Sequence, residues 1–266
     1  MSAELRIVGL QTDLHWRNPD ANLTDFDTLL TAIPTGSCDV VVLPEMFTTG
    51  FSWPPIIPTD GPDSELDWMQ DWADRLGAAI AGSIACFDGE DQPRNRFWFI
   101  PPSGEGAPSF YDKRHLFTLA GEHDHFTAGD DRVELEFRGF RILLQVCYDL
   151  RFPELFRCLM QTGAEIIALP AAFTKTTGHY HWEVLLRARA IENSCYVIAA
   201  NQVGQHPNGY NSFGHSMIVN PWGEVVASQA SGSAAICAQI DADHVRTTRQ
   251  TTPFTSHRRI FYDKVT

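Results

Sequence analysis

The sequence has little positive charge. Its 20 lysine and arginine residues face 33 aspartate and glutamate residues, which gives a formal net charge of −13 at pH 7. Such an acidic protein is poorly suited to nonspecific binding of nucleic acid or of anionic membranes, so we expect neither partner. Only Lys113, Lys175 and Lys264 are lysines. Because lysine is this rare, we consider each one a candidate functional residue.

Targeting and cross-linking features are also missing. Glu4 and Arg6 interrupt the N-terminus where a signal peptide would be apolar, and no apolar run approaches the length of a membrane span. The six cysteines stand singly, with no C-x-x-C pair. These absences predict a soluble protein of the reducing cytoplasm.

Several motifs of common enzyme classes are absent. The sequence has no G-x-G-x-x-G after a strand, no phosphate-binding Walker A loop, no G-x-S-x-G and no H-E-x-x-H. Two histidine pairs, His123 with His125 and His179 with His181, have a spacing that can ligate zinc. No carboxylate or cysteine pattern completes such a site, so a metal hydrolase stays an alternative and we expect neither metal nor cofactor.

Hydrophobic periodicity predicts an α/β fold. Short apolar runs typical of strands alternate with helical patterns, and no linker divides the 266 residues. We therefore expect one domain, residues 1–266, with mixed sheets inside and helices outside, although periodicity does not give the strand order. The predicted strands are 5–10, 39–43, 79–87, 97–100, 110–112, 133–137, 140–146, 166–169, 196–200, 216–219, 224–227 and 235–240. The predicted helices are 21–33, 64–76, 153–161 and 180–192.

Three chemically useful side chains follow predicted strands. Glu45 comes after the run DVVVLP, Lys113 after FYD, and Cys147 after RILLQV. Open α/β sheets bind ligands beyond the carboxyl ends of their strands, so these groups could converge there. The pattern alone does not separate Cys147 from Cys195, which also lies in an apolar run, and a lone buried cysteine is most often a core residue.

Together these groups could hydrolyse an amide without histidine or metal. A thiol with an ordinary pKa of about 8.5 is mostly protonated at neutral pH, and a neighbouring carboxylate can accept its proton. The resulting thiolate attacks the carbonyl carbon, while the Lys113 ammonium and the backbone N–H of Tyr148 could hold the oxyanion. Glu45 would then protonate the leaving amine and activate water against the thioester.

The residues around these positions resemble a known family. Residues 43–47 read LPEMF, 111–117 read YDKRHLF and 147–154 read CYDLRFPE. They resemble, in family order, the three signature segments of the nitrilase, or carbon–nitrogen hydrolase, superfamily. Later segments are similar too: TG at 177–178, HWE at 181–183, RARAIEN at 187–193 and NPWGE at 220–224. The resemblance covers essentially the whole chain.

The resemblance implies roles by position. Cys147 would be the nucleophile, Glu45 the general base and acid, and Lys113 the oxyanion-stabilising cation. Glu122, in the segment AGEH, would be the second glutamate that many members use to position substrate and hold the lysine. The implied fold is a four-layer α-β-β-α sandwich, the implied partner is a second subunit, and residues 250–266 would be a tail that packs at the subunit contact.

The nucleophile segment also indicates a branch. It differs from the CWEN segment of nitrile-hydrolysing members and is similar to bacterial ω-amidase-type proteins, which implies 2-oxoglutaramate and 2-oxosuccinamate as substrates. Arg151 is then the candidate for the substrate carboxylate, unless it pairs structurally with Asp149 or Glu154. Other candidate pocket residues are Phe47, Tyr148, Phe173, Thr174 and Trp182.

Two further alternatives concern function. Related branches act on N-carbamoyl compounds, deaminated glutathione or other carboxyamides, and the motifs do not exclude them. An inactive homologue could instead be a dimeric binding protein. The presence of Glu45, Lys113, Glu122 and Cys147 argues against this last reading, because an inactive relative is expected to lose at least one of them.

Overall fold

Two six-stranded β-sheets form the centre of the molecule. The computed structural model describes residues 3–57, 63–87, 93–157, 163–207 and 209–259. In spatial order the first sheet contains β14 (Ala234–Asp241), β1 (Glu4–Gln11), β2 (Val40–Val42), β3 (Ala79–Cys86), β4 (Arg94–Ile100) and β5 (Ser109–Asp112). The second contains β13 (Val225–Gln229), β12 (Ser216–Val219), β9 (Tyr196–Asn201), β8 (Ile166–Ala171), β7 (Phe140–Leu144) and β6 (Glu134–Phe137). A hairpin of β10 (Val203–Gln205) and β11 (Asn211–Phe213) lies apart.

Helices cover the outer faces of both sheets. α1 (Pro19–Thr31) and α2 (Asp63–Leu76) share a hydrophobic cluster with the first sheet. α3 (Pro153–Arg157) and α4 (Lys175–Asn193) pack with the second sheet, and α5 (Ala242–Thr251) follows β14. The layers are therefore helices, sheet, sheet and helices, which confirms the predicted four-layer α-β-β-α arrangement.

The central strands are buried on both faces. In β1, Leu5 and Ile7 face the core between the sheets, whereas Val8 and Leu10 pack beneath α1 and α2. The strands at the centre of each sheet, β1–β2–β3 and β7–β8–β9, are parallel. Parallel strands covered on both sides are continuous apolar runs rather than alternating ones, which explains why they are recognisable in the sequence.

Local sequence patterns predicted some of the helices and turns correctly. The predicted hairpin at Arg138 and Gly139 is confirmed, since these residues join β6 to β7 with φ of 45° and 83°. Two successive positive φ angles are typical of a tight hairpin turn. The predicted third helix, 180–192, begins earlier, at Lys175 with Thr174 as its N-cap. Part of the helix predicted at 153–161 lies outside the described residues.

Other elements were not predicted. α5 is mostly polar, and only Ala242, Val245 and Thr248 are buried on it, so it lacks a clear apolar stripe. The β10–β11 pair has three residues in each strand and few buried side chains. Short or polar elements such as these form because tertiary contacts stabilise them, and their sequences carry little periodicity.

No helix in the described part of the chain is long and apolar enough to cross a bilayer.

The topology brings several loops to one edge. β3 and β4 are antiparallel, as are β4 and β5, so β5 runs in the same direction as β2. The carboxyl ends of β2 and β5 therefore share an edge with the start of β4. The loops after β7 and β8 of the second sheet meet this edge, because the Ala172 backbone donates to the Glu45 carboxylate.

Candidate active site

A buried ion cluster lies where the two sheets meet. Lys113 Nζ donates to Glu45 Oε1 at 2.8 Å, and to Glu122 Oε2 at 2.7 Å and Oε1 at 3.0 Å. All three side chains are fully buried. Glu45 follows β2, Lys113 follows β5, and Glu122 lies in a single 3₁₀ turn that precedes β6. The structure thus brings together three of the four residues with predicted catalytic roles.

Cys147 completes the cluster from the second sheet. It opens a 3₁₀ turn after β7 and has a φ of 41°, an uncommon conformation for a residue with a side chain. Its thiol lies beside the Glu45 carboxylate and the Ala172 N–H. Backbone strain of this kind often occurs at functional sites, because it holds a side chain where the relaxed chain would not.

Electrostatics keep the lysine charged and the thiol protonated. Burial lowers the pKa of Lys113, but the charges of Glu122 and Glu45 outweigh it and raise that pKa overall. Burial, together with the nearby Glu45 charge, raises the pKa of the Cys147 thiol, and Lys113 opposes this shift. Burial also raises the pKa of Glu122 against the opposing charge of Lys113. The resting site therefore has a thiol next to a potential proton acceptor.

Three residues that the sequence did not identify hold Glu45. Asn95 Nδ2 donates to Glu45 Oε1 at 2.8 Å, and the Ala172 backbone N–H donates to Oε2 at 2.8 Å. Gln202 Nε2 donates to the Glu45 backbone carbonyl at 2.6 Å. Asn95 and Gln202 are polar residues within or next to apolar strands, which is the signal that could have found them.

A third buried carboxylate, Asp149, connects the loops on either side of Cys147. Asp149 is fully buried and accepts hydrogen bonds from Tyr111 Oη at 2.9 Å and from the backbones of Val146 and His115, each at 3.0 Å. It therefore ties the segment that carries Lys113 to the turn that carries Cys147. Asp149 is committed to these contacts and does not pair with Arg151.

The structure separates the two candidate cysteines. Cys195 is buried just before β9, where its charged neighbours are Arg249 and Glu192, and burial raises its pKa to about 12. Neither the Glu45 carboxylate nor the Lys113 ammonium is among them. Of the two thiols, only Cys147 has the Glu45 carboxylate and the Lys113 ammonium among its charged neighbours.

A small pocket leads to Cys147. The pocket lies over the thiol and is partly open to solvent. Four predicted substrate-binding residues line it: Tyr148, Arg151, Phe173 and Thr174. The sequence did not identify four others: Phe51, Phe117, Ala172 and Thr177.

Arg151 presents its charge to this pocket. Its guanidinium donates to Thr177 Oγ1 and to His181 Nδ1, each at 3.0 Å, and lies 4.7 Å from the Phe173 ring centroid. No carboxylate of the described residues pairs with it, so the alternative of a structural pair with Asp149 or Glu154 is not observed. A guanidinium without an anionic partner, at a pocket wall, suits recognition of a carboxylate.

Two predicted substrate-binding residues lie elsewhere. Phe47 is buried in the layer between the first sheet and its helices, where its ring contacts Phe26 and Trp68. Trp182 is buried behind Phe173 and donates to the His215 carbonyl at 2.7 Å. Neither lines the pocket, so their predicted role as pocket walls is corrected to one in packing.

The histidine pairs do not converge on a shared site. His123 is exposed next to Asp124, and His125 stacks on Trp53. His179 packs on Phe213, whereas His181 meets Arg151. Across the described ranges, no three histidine, cysteine or carboxylate side chains form a group that could hold a metal ion.

Comparison with known proteins gives consistent matches. The carbon-nitrogen hydrolase family model matches residues 4–250. The protein "Omega-amidase YafV" of Yersinia enterocolitica is 44% identical over 242 residues, covering 90% of this chain and 89% of the relative. "Deaminated glutathione amidase" of the same organism is 41% identical over 157 residues, 56% of this chain and 55% of the relative. One similar solved structure is a CN-hydrolase superfamily protein of Xanthomonas campestris with an arsenic adduct in its active site. It superposes with a TM-score of 0.89 at 34% sequence identity, and the match covers 97% of this chain and 98% of that chain.

The position of Phe47 yields a test. We predict that Phe47→Leu lowers the free energy of unfolding by about 1 kcal/mol, because it leaves a small void under Phe26 and Trp68. The Michaelis constant for an amide substrate should stay unchanged. Denaturant unfolding and steady-state kinetics check this, and a raised KM with unchanged stability would return Phe47 to the substrate pocket.

Proposed function

The chain belongs to the carbon–nitrogen hydrolase family, and on that premise we propose that it hydrolyses the amide of small ω-amido 2-oxo acids. The reaction converts compounds such as 2-oxoglutaramate or 2-oxosuccinamate, with water, into the 2-oxo acid and ammonia. The observation that carries the proposal is the Cys147 thiol beside Glu45, which is bound by Lys113, at the base of a pocket that Arg151 helps to line.

The first half-reaction forms a thioester. Cys147 Sγ attacks the amide carbon as its proton moves to Glu45, whose carboxylate lies beside the thiol. Negative charge develops on the former carbonyl oxygen, where the Lys113 ammonium stabilises it. Glu45 then gives its proton to the amide nitrogen, the C–N bond breaks, and ammonia leaves.

The second half-reaction regenerates the thiol. Glu45 removes a proton from water as the water oxygen attacks the thioester carbon. Lys113 again stabilises the oxyanion, and the carboxylic acid forms as the C–S bond breaks and Cys147 recovers a proton from Glu45. One carboxylate thus serves both steps, which its fixed position between Lys113 and Ala172 supports.

Lys113 and Glu122 have complementary roles in this scheme. An ammonium has three N–H donors, and those of Lys113 are oriented by Glu45 and Glu122. Glu122 holds the lysine and balances its charge, and both side chains are fully buried. A carboxylate placed in this way keeps the cation from shifting as the oxyanion forms and collapses.

The substrate preference rests on Arg151 and on the relatives. A 2-oxo acid with an ω-amide has a carboxylate at one end and the scissile amide at the other. With the amide at Cys147, its carboxylate meets the Arg151 guanidinium, next to Thr177. The relative named as an omega-amidase matches nearly the whole chain, which supports the same class.

A second candidate keeps the chemistry and changes the substrate. A relative named "Deaminated glutathione amidase" matches about half of this chain, so larger carboxyamides are the alternative to test. N-carbamoyl compounds belong in the same comparison. An inactive binding protein is disfavoured, because Glu45, Lys113, Glu122 and Cys147 are all present and assembled.

We also propose that the protein is a homodimer. We further propose that it lies in the cytoplasm, whose reducing conditions keep Cys147 a free thiol. The support for the homodimer is an exposed apolar surface, here named the α4 face, formed by Tyr180, Val184, Ile191, Trp222 and Phe254. Tyr180, Val184 and Ile191 recur on one side of α4. Phe254 brings the described part of the 250–266 tail to this face, next to Trp222 and Ile191. A second copy of this surface is the occupant that would cover it.

The first test is ammonia release from 2-oxoglutaramate. We expect turnover by the native protein and none above background in Cys147→Ala, because the nucleophile has no substitute. Cys195→Ala is the matched control and should keep activity. A coupled ammonia assay, with circular dichroism to check folding, decides this. Equal losses in the two variants would mean that Cys147 is not the nucleophile, and a tenfold preference for a carbamoyl compound would change the substrate class.

The second test concerns Arg151. We predict that Arg151→Lys raises KM for 2-oxoglutaramate by about tenfold, because a point charge cannot replace the planar guanidinium. The KM for butyramide, which has no carboxylate, should change little. Arg246→Lys, at an exposed arginine outside the pocket, is the control. Equal losses on both substrates would show that Arg151 is structural.

The third test concerns assembly. Val184→Asp should convert the dimer to a monomer, because it buries an unpaired charge at the α4 face. Leu119→Asp, at an equally exposed apolar residue outside that face, should leave the dimer intact. Size-exclusion chromatography with light scattering measures both. A native protein that is monomeric at micromolar concentration would contradict the proposal.

A further inference from the structure

One side chain in the site is not accounted for by the mechanism. Asn95, near the start of β4, is almost fully buried. Its Nδ2 donates to Glu45 Oε1 at 2.8 Å and to Glu122 Oε1 at 3.0 Å. A single amide therefore bridges the two carboxylates that Lys113 also bridges, and its backbone carbonyl accepts from the Lys113 N–H at 2.9 Å.

The orientation of this amide is fixed by chemistry. If it were flipped, Asn95 Oδ1 would face two carboxylate oxygens, which carry no proton to donate when ionised. In the observed orientation Oδ1 is buried and has no hydrogen-bond partner in the described part of the chain. Leaving a buried carbonyl oxygen unpaired is unfavourable. The two hydrogen bonds from Nδ2 to the carboxylates therefore outweigh the cost of leaving Oδ1 without a partner.

The bridge also orients Glu45. Oε1 of this carboxylate is occupied by Asn95 and Lys113. Oε2 accepts from the Ala172 N–H, which also lies beside the Cys147 thiol. Asn95 thus holds one carboxylate oxygen of Glu45 and leaves the other, Oε2, on the backbone N–H that lies beside the thiol. Without Asn95, the carboxylate could rotate and the two glutamates would lose a shared donor.

From these contacts we infer that Asn95 is a positioning residue for amide hydrolysis. Its side-chain amide clamps Glu45 and Glu122 together, keeps Glu45 Oε2 on the Ala172 N–H beside Cys147, and favours the ionised form of Glu122. The inference rests on the proposed function for its substrate, but the clamp itself concerns only residues of this chain. Hydrogen bonds to the charged form of a carboxylate stabilise that form.

Two substitutions distinguish this role from a merely structural one. Asn95→Leu keeps the approximate shape and removes the donor. We expect kcat to fall by ~100-fold with KM nearly unchanged, as for a small displacement of a catalytic group. The acid limb of the kcat/KM profile should move to higher pH by about one unit, because the carboxylates lose a donor that favours ionisation.

Asn95→Asp should give the opposite pH dependence. This variant is isosteric, so it serves even if Asn95→Leu does not fold. Its protonated carboxyl group retains one O–H donor, whereas its ionised form donates nothing and adds a third negative charge around Lys113. Activity should therefore be best at low pH and fall as pH rises. Divergent shifts in the two variants are not expected from a residue that only packs.

Asn193 provides a matched control. It is also buried, its Nδ2 donates to the Arg189 carbonyl at 2.8 Å, and its Oδ1 has no partner among the described residues. Asn193→Leu and Asn193→Asp should lower stability but leave kcat and the pH profile of the folded protein unchanged. Shifts like those of the Asn95 variants would assign the effect to general destabilisation.

A substrate-free measurement separates this inference from the proposed function. Alkylation of Cys147 by iodoacetamide, followed by peptide mass spectrometry across pH, reports the thiol and its proton acceptor directly. The acid limb of this reaction should move upward in Asn95→Leu, even if 2-oxoglutaramate proves not to be a substrate. Native alkylation and native kcat in Asn95→Leu would overturn the role of Asn95, whatever the substrate.

Discussion

The buried contact of Lys113 with Glu45 and Glu122 is the interaction on which the rest of the site depends. An ion taken out of water is stable only where good geometry and further hydrogen bonds compensate for its lost hydration. Here that compensation comes from Asn95 on β4 and from the loops after β2, β5 and β8. Lys113 therefore stays charged only if both sheets pack correctly. The proposed stabilisation of the oxyanion in turn requires that charge.

The core between and beneath the sheets sets the position of Glu45. Met46 has a φ of 48° and donates its N–H to Ser83 Oγ at 3.0 Å, so the turn after β2 is anchored on β3. A Cβ at Gly82 would lie 2.9 Å from Leu43 Cβ and 3.0 Å from Phe47 Cδ1. This glycine lets the turn approach the sheet closely. Phe47 therefore contributes to the site through the backbone that it packs, not by touching substrate.

The sequence identified the candidate catalytic residues better than it identified the residues that hold them in place. Glu45, Lys113 and Cys147 could be identified because each follows a recognisable strand and stands in a distinctive segment, and these same three residues meet in the structure. The contacts that Asn95 and Ala172 make could not be predicted, because they depend on the strand order and on how the sheets face each other, which periodicity does not contain. Phe47 was misassigned for a related reason: its sequence position beside Glu45 does not reveal which way its ring points.

The protonation state of the resting site bears on how reactivity is controlled. Burial and the Glu45 charge raise the pKa of the Cys147 thiol, so Cys147 is a protonated thiol in the resting site. A thiolate would react with passing oxidants and electrophiles. In the proposed mechanism, the thiol beside Glu45 becomes nucleophilic only as its proton transfers. That transfer is favourable only when a carbonyl accepts the electrons and the Lys113 ammonium stabilises the oxyanion. Under this proposal, the burial that makes the ion cluster costly also couples the proton transfer to the presence of substrate.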